Sequence, residues 1–465
     1  MKKIVRILAW GILLGLIACR PAPDTAGTVP DAPLPDTVTF SADIAPVVYA
    51  NCTPCHRPGS AGPFSLITYE DLARRARTIA RVTRDRYMPP WPADPGYRHF
   101  VGERILTERE IALFQAWAAQ GALPGDLAHA PPPPVYPEGS QLGKPDLVLR
   151  MPGQFPLPGD NRDRFFFMKI PYEIAQDTFI RAIEFVPGNT KAVHHMNANL
   201  IGYEPGAKQD VFAGDWYVNR DQVLPQVAYP RMGLPNDDGS YPELTPMVCN
   251  YLPGVTPALY PEGIGGFRMK RKGAFLLNDI HYGPLPQDTF DQSYLNIFFA
   301  PAPPVRPTRD RMLGTIGISP VSPPLVIPPD TVMTCRTRWT VDEDISVLTL
   351  NPHMHLLGKS FKAWALPPGG DTIPLIRIPE WDFRWQYFYT LEYMLPLRKG
   401  TVIEVEGVFD NTADNPHNPN DPPRLVSDKS GSMRTTDEML QFILTCVPYR
   451  PGDESIRLGP ASGSE

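Results

Sequence analysis

At 465 residues the chain has room for about three domains of ordinary size, and with 42% apolar and 20% charged residues it can bury ordinary cores, which excludes wholesale disorder. Proline is the outlier, at 58 residues or about 12% against a usual ~5%, which excludes long helical bundles, coiled coils and solenoids for most of the chain. The formal charge of −6 disfavours a nucleic-acid partner.

The chain opens with Lys2, Lys3 and Arg6 ahead of an apolar run from Ile7 to Ala18 that is too short to span a bilayer. Residues 1–19 read as an export signal ending Leu16-Ile17-Ala18-Cys19, which resembles a bacterial lipobox with Cys19 as the lipidated residue. Loss of the three basic residues takes the mature charge to about −9. Arg20, where an inner-membrane retention signal would have Asp, leans toward anchorage in the outer membrane. The expectation is an exported bacterial lipoprotein, periplasmic or at the cell surface, anchored to a membrane without crossing it. Residues 20–37 form a proline-rich tether.

Cys52-Thr53-Pro54-Cys55-His56 is the c-type haem attachment pattern, in which two thiolates add to the haem vinyl groups and the histidine ligates iron. This stretch also carries helical periodicity. Ile44, Val47 and Val48 precede the motif; Leu72, Ala76, Ile79 and Ala80 follow it. Thr107 and Glu110 form a capping box for a helix lined by Ile111, Phe114 and Trp117 that stops near Gly121. Residues 38–125 are therefore expected to be a small all-α cytochrome c domain. Met88, 32 residues after His56 in a proline-stiffened loop, is the expected sixth iron ligand, with His99 and an open site as the alternatives.

Beyond a second proline-rich linker at 126–145, short runs of β-branched and aromatic residues recur, among them Phe165 to Ile170, Phe179 to Val186, Tyr294 to Phe299, Ile345 to Leu350 and Thr401 to Val408. With Pro, Gly, Asn and Asp between them, these predict two all-β antiparallel, jelly-roll-like sandwiches at 146–300 and 301–452, then a tail at 453–465.

Three contexts hold five of the nine histidines in the chain. His353 and His355 stand at i and i+2, so on a strand both rings face one side and can reach one metal; zinc hydrolases, cupins and copper proteins all use such a pair. His194 and His195 are adjacent, and joint ligation needs a twist, a bulge or different ring nitrogens. His281, taken alone, fits a structural role as well as a ligand, and Met439 alone fits a core filler.

Taken in order, His194-His195-Met196, Ile280-His281-Tyr282-Gly283, His353-Met354-His355-Leu356-Leu357-Gly358-Lys359 and Thr436-Asp437-Glu438-Met439 resemble the copper type II, ascorbate-dependent monooxygenases, the family of peptidylglycine α-hydroxylating monooxygenase and dopamine β-monooxygenase. The resemblance covers roughly residues 145 to 450. It implies a copper held by His194, His195 and His281 that stores and passes an electron. It also implies a second copper, held by His353, His355 and Met439, where dioxygen binds and a C–H bond is hydroxylated. Soft sulfur at the second site suits Cu(I). The implied function is a copper-dependent monooxygenase acting on a small organic substrate with O2, with two copper ions and one haem c, the haem passing electrons from an external redox protein or small reductant. The chain departs from the peptide hydroxylase at Asn351 and Ile443, where that enzyme has an arginine and a tyrosine that hold a substrate carboxylate, so glycine-extended peptides are not expected substrates.

Cys249, Cys335 and Cys446 remain, and a bridge between Cys335 and Cys446 is the preferred pairing. Trp339, Trp364, Trp381 and Trp385 are expected in cores, with a pocket wall as the other role open to them. Two other readings keep the same motifs. One is a copper-binding electron-transfer or copper-handling lipoprotein without catalysis, and the other is a haem lipoprotein whose sandwiches serve adhesion.

Overall fold

The computed structural model describes residues 33–220, 222–428 and 435–459, with the backbone alone at 279. The signal at 1–19, Cys19, most of the 20–37 tether and the end of the tail lie outside the described residues. No helix among the described residues is long and apolar enough to cross a membrane.

The Ala45–Asn51 helix ends at Cys52, whose N–H bonds to the Val48 carbonyl at 2.8 Å. The apolar face that follows is split at Arg74 and Arg75 into helices Tyr69–Ala73 and Ala76–Arg84. Glu108–Ala119 starts at the Thr107–Glu110 capping box and is closed by Gly121 at φ 84°. Phe40, Val48, Leu72, Ile79, Phe114 and Trp117 pack together between these helices.

A separate all-α domain ahead of two jelly-roll sandwiches does not hold. Strands make up 35% and helices 12%, and the four larger sheets stand in a propeller-like arrangement of blades. The helices do not close off a unit of their own. Pro89, Pro90, Pro92 and Pro95 forbid a continuing helix, and the extended chain they dictate is laid onto the β region. Ala93 and Phe100 enter the core that holds Tyr389 and Leu391, and Phe100 forms an antiparallel bridge with Leu391. The Tyr387 hydroxyl donates to the Pro90 carbonyl at 2.8 Å, the Val101 N–H to Thr390 at 2.9 Å, and Arg104 to Gly254 at 2.6 Å.

In the β region one core lies between the sheet built on Thr178–Val186 and Tyr294–Phe299 and the five-stranded sheet in which Lys272–Tyr282 runs between Arg164–Glu173 and Val193–Tyr203. A second core lies between a four-stranded sheet with Ile345–Met354 beside Leu440–Pro448 and a five-stranded sheet centred on Val402–Asp410. The histidine motifs lie at the ends of strands where these two parts meet, His194 and His195 opening one strand and His281 and His353 near the close of two others. Cys335 and Cys446 are free thiols on the two different sheets of the second core, and Cys249 is also free, so the expected bridge is absent.

Candidate metal centres

His194 and His195 lie at the start of Val193–Tyr203, which pairs with Lys272–Tyr282 through Val193↔Tyr282 and His195↔His281. The register breaks between Val193 and His195 and again between His195 and Ala198. This bulge is what lets two adjacent histidines face one side. Ring centroids are 5.9 Å apart for His194–His195, 5.0 Å for His194–His281 and 4.9 Å for His195–His281, and one nitrogen from each ring lies within 4.8 Å of the others.

The shell around this cluster selects ligand atoms. His281 donates through Nε2 to Asp163 at 2.7 Å, and the same bond holds the Asp163 carboxyl below the usual carboxylate range. Nδ1 of His281 and Nδ1 of His194 are buried and without hydrogen-bond partners, the condition in which a cation replaces a missing donor. Burial, with His281 alongside, pushes His194 down to about 4, which keeps it neutral and able to ligate. Phe165 stacks on His281 at 4.3 Å. Asp163 was missed by sequence reasoning; its only signal is an acid just ahead of the strand that pairs with the His281 strand.

His353 and His355 have ring centroids 5.0 Å apart. Nδ1 of His353 meets Oε1 of Gln386, and Nδ1 of His355 donates to the Asp437 carbonyl at 2.9 Å. These bonds orient both rings and assign Nε2 as the donor to a metal. Met439 is 2% exposed and stands just before the Leu440–Pro448 strand, in which Leu440 pairs with Met354. Between the two segments sits Glu438, buried, its Oε2 accepting from the N–H groups of His355 at 3.0 Å and Met439 at 3.1 Å and its Oε1 from Leu357 at 2.7 Å. Burial pushes its carboxyl up to about 8 against the pull of these hydrogen bonds. Two imidazole nitrogens with a thioether sulfur would be a donor set suited to copper.

The two centres share a wall. Phe383 lies 6.2 Å from the His195 ring and 5.8 Å from the His355 ring, and Trp385 lies 6.5 Å from His194. A cavity of about 260 Å³ is lined by His195 from one cluster and His353 from the other, and by Asn351 and Ile443, the register partners that depart from the peptide hydroxylase. Of the tryptophans, Trp381 is core, whereas Trp385 stands at the first cluster.

At the haem motif, the His56 N–H bonds to the Cys52 carbonyl at 2.9 Å and Nδ1 of His56 meets the Phe64 carbonyl at 3.1 Å. That bond orients the ring and reserves Nε2 for iron, while Cys52 and Cys55 are free thiols, so the residues fit covalent haem. Burial pushes the Cys52 thiol up to about 12 and lowers His56. Cys55 packs on Gly254, where a side chain would collide with its sulfur and φ is +79°. Met88 is half-buried on the turn after Ala76–Arg84, its N–H bonded to Val82 at 3.1 Å. His99 is exposed and bonded to Glu103 at 3.0 Å.

No protein-family model matches the chain, and no curated protein does. Among solved structures the chain is similar to that of the infectious bursal disease virus Gx strain, at 7% identity and TM-score 0.17 over 69% of this chain and 77% of that one. It is also similar to the VP2 subviral particle of infectious bursal disease virus, at 9% identity and TM-score 0.16 over 69% and 77%. Likeness at this level carries no argument about fold or activity.

Proposed function

We propose that the chain is a copper-dependent monooxygenase, an exported, lipid-anchored protein that hydroxylates a C–H bond of a small organic substrate and draws electrons through a covalently attached haem. The observation that carries the reading is one cavity lined by His195 of the three-histidine cluster and by His353 of the His353–His355 pair, with Met439 tied to His355 through the Glu438 carboxyl. Bound copper would supply one-electron storage at the nitrogen-only set and dioxygen chemistry at His353, His355 and Met439. The overall reaction takes one O2, two electrons and two protons, converts C–H to C–OH and releases water.

The chain's own residues prepare that chemistry. Asp163 orients His281, the Asp437 carbonyl orients His355, and Glu438 clips the His355 and Met439 segments together. Phe383 stands between the clusters, near a ring of each. Cys55 packs on Gly254, in the part of the chain that holds the three-histidine set, and with Cys52 and His56 would hold a haem there to supply electrons. Unlike donor sets favour catalysis over copper storage, which has no use for the difference.

The test is the copper-to-iron ratio of mature, haem-loaded protein beside His281→Ala and Met439→Ala. Two coppers per haem, falling to one in each variant, is the expected result. A ratio near zero after full copper loading refutes the proposal.

A further inference from the structure

We infer that the arginine face of the Ala76–Arg84 helix is the docking surface for the electron donor, and that this donor is an acidic redox protein; the inference rests on the haem of the reading above and names the partner that reduces it. From Arg74 to Arg86 the chain holds six arginines and one acid, Asp85, a net +5 within a chain of formal charge −6. Helical spacing turns that composition into a surface. Arg77, Arg81 and Arg84 stand at i, i+4 and i+7, exposed along one side, while Ala76, Ile79, Ala80 and Thr83 are buried on the other.

The face is left uncompensated. In the β region Arg231, Arg268, Arg336 and Arg398 each stand 2.6–3.1 Å from a carboxylate. Arg74 and Arg84 pair only with Asp71 and Asp85, close neighbours in sequence, and Arg77 and Arg81 have no ion pair among the described residues. Like charges one turn apart destabilise a helix, and an anionic partner reverses that cost.

The same stretch borders the haem motif. The Arg75 guanidinium lies over the Phe64 ring at 4.3 Å, that ring stands 4.9 Å from His56, and Nδ1 of His56 meets the Phe64 carbonyl at 3.1 Å. Elsewhere the motif is covered by the chain itself: Cys55 packs on Gly254, and Tyr136 of the linker shares a hydrogen bond with Thr53 at 2.6 Å and lies under the Arg57 guanidinium. Positive charge on the helical side steers an acidic donor toward that end of the motif. A lipid surface fits less well, because a helix that lies on a membrane sets large apolar side chains against the lipid, and here Ile79 is spent on the core. In each transfer the donor loses one electron and ferric haem becomes ferrous, with no bond made or broken, and two transfers match one hydroxylation.

The experiment follows reduction of the ferric, haem-loaded full chain by a reduced, acidic plant-type [2Fe–2S] ferredoxin in stopped flow, with and without copper, and measures the Kd of the oxidised ferredoxin by calorimetry. The rate is expected to fall steeply with salt. Arg77→Gln/Arg81→Gln is expected to lower rate and affinity about tenfold at low ionic strength, and Arg77→Glu/Arg81→Glu to lower them further. Reduction by photoreduced riboflavin, a small donor that needs no docking, should be unchanged in both, which shows the haem site intact. Arg336→Gln/Arg338→Gln removes the same charge from the second core and is expected to change neither rate nor affinity. Reduction blind to salt and to both variants, an equal loss in Arg336→Gln/Arg338→Gln, or a loss seen only in flotation with vesicles of phosphatidylethanolamine and phosphatidylglycerol overturns the inference. Salt-steered reduction in a protein that takes up no copper leaves the inference standing and refutes the monooxygenase.

Discussion

Glu438→Gln separates a ligand clamp from a generic core residue. In its ionised form, reached above about pH 8, the carboxyl spends three acceptor interactions on backbone N–H groups, two on Oε2 from His355 and Met439 and one on Oε1 from Leu357. A glutamine has one acceptor oxygen, and its NH2 must face donors on the other side. In the better orientation it keeps the Oε2 pair and leaves the Leu357 N–H unsatisfied, a cost of about 1–3 kcal/mol; in the worse it leaves both ligand segments unsatisfied. Loss of a group that orients metal ligands weakens metal binding about 10–100-fold, or about 1.4–2.7 kcal/mol, the same range as one orphaned N–H. The assay is a copper competition titration that resolves both sites, with electron paramagnetic resonance of the cupric protein. Affinity is expected to fall only at the His353–His355–Met439 site, with an altered signal there, because the three-histidine cluster takes its orienting bond from Asp163. Equal losses at both sites, or an unchanged second site, would refute the clamp.

Asp163→Ala is expected to have the complementary effect, lowering copper affinity about 10–100-fold at the three-histidine site alone, read in the same titration. Replacing Cys52 and Cys55 together by alanine should abolish haem that survives denaturing electrophoresis, and haem retained in that variant would remove the attachment motif from the proposal. Asp453 is held by Arg306, Ser346 and the Arg450 N–H. Burial raises its carboxyl, but these partners outweigh burial and hold it at about 2 against 3.8. Because the folded value is depressed, the stabilisation is present above pH 3.8 and is lost as pH falls through about 2, so Asp453→Asn should cost ~2 kcal/mol near neutrality and nothing at the acid end. Denaturant titrations of both proteins across pH measure this, and a gap that persists below pH 2 would contradict it.

The motifs were legible because each is local: the CxxCH run, the adjacent histidines and the HxH pair announce themselves within a few residues. Their geometry was not. The bulge that aligns His194 with His195 depends on register against a strand some 80 residues away. Asp163 reaches His281 across 118 residues, and Glu438 was visible only as part of a four-residue motif, with nothing to show that its carboxyl would join two segments. The helices could be read from periodicity, but their failure to stand alone could not, since it comes from Pro90 meeting Tyr387 and Phe100 meeting Leu391, contacts nearly 300 residues apart. Cys335 and Cys446 both fall in the predicted second sandwich, near its metal strands, but on different sheets in space.

The segment Trp381 to Phe388 has a dynamic consequence. From a single loop of the second core, Phe383 touches a ring in each cluster, Trp385 stands by His194, Arg384 bonds Tyr87 and Tyr387 bonds Pro90. One aromatic piece of chain thus ties three parts of the molecule, and an opening between the clusters would break its contacts with His194 and His195 together. Separating the two clusters therefore means unpacking aromatic rings from His194 and His195, a cost in lost packing that falls on one short stretch of chain.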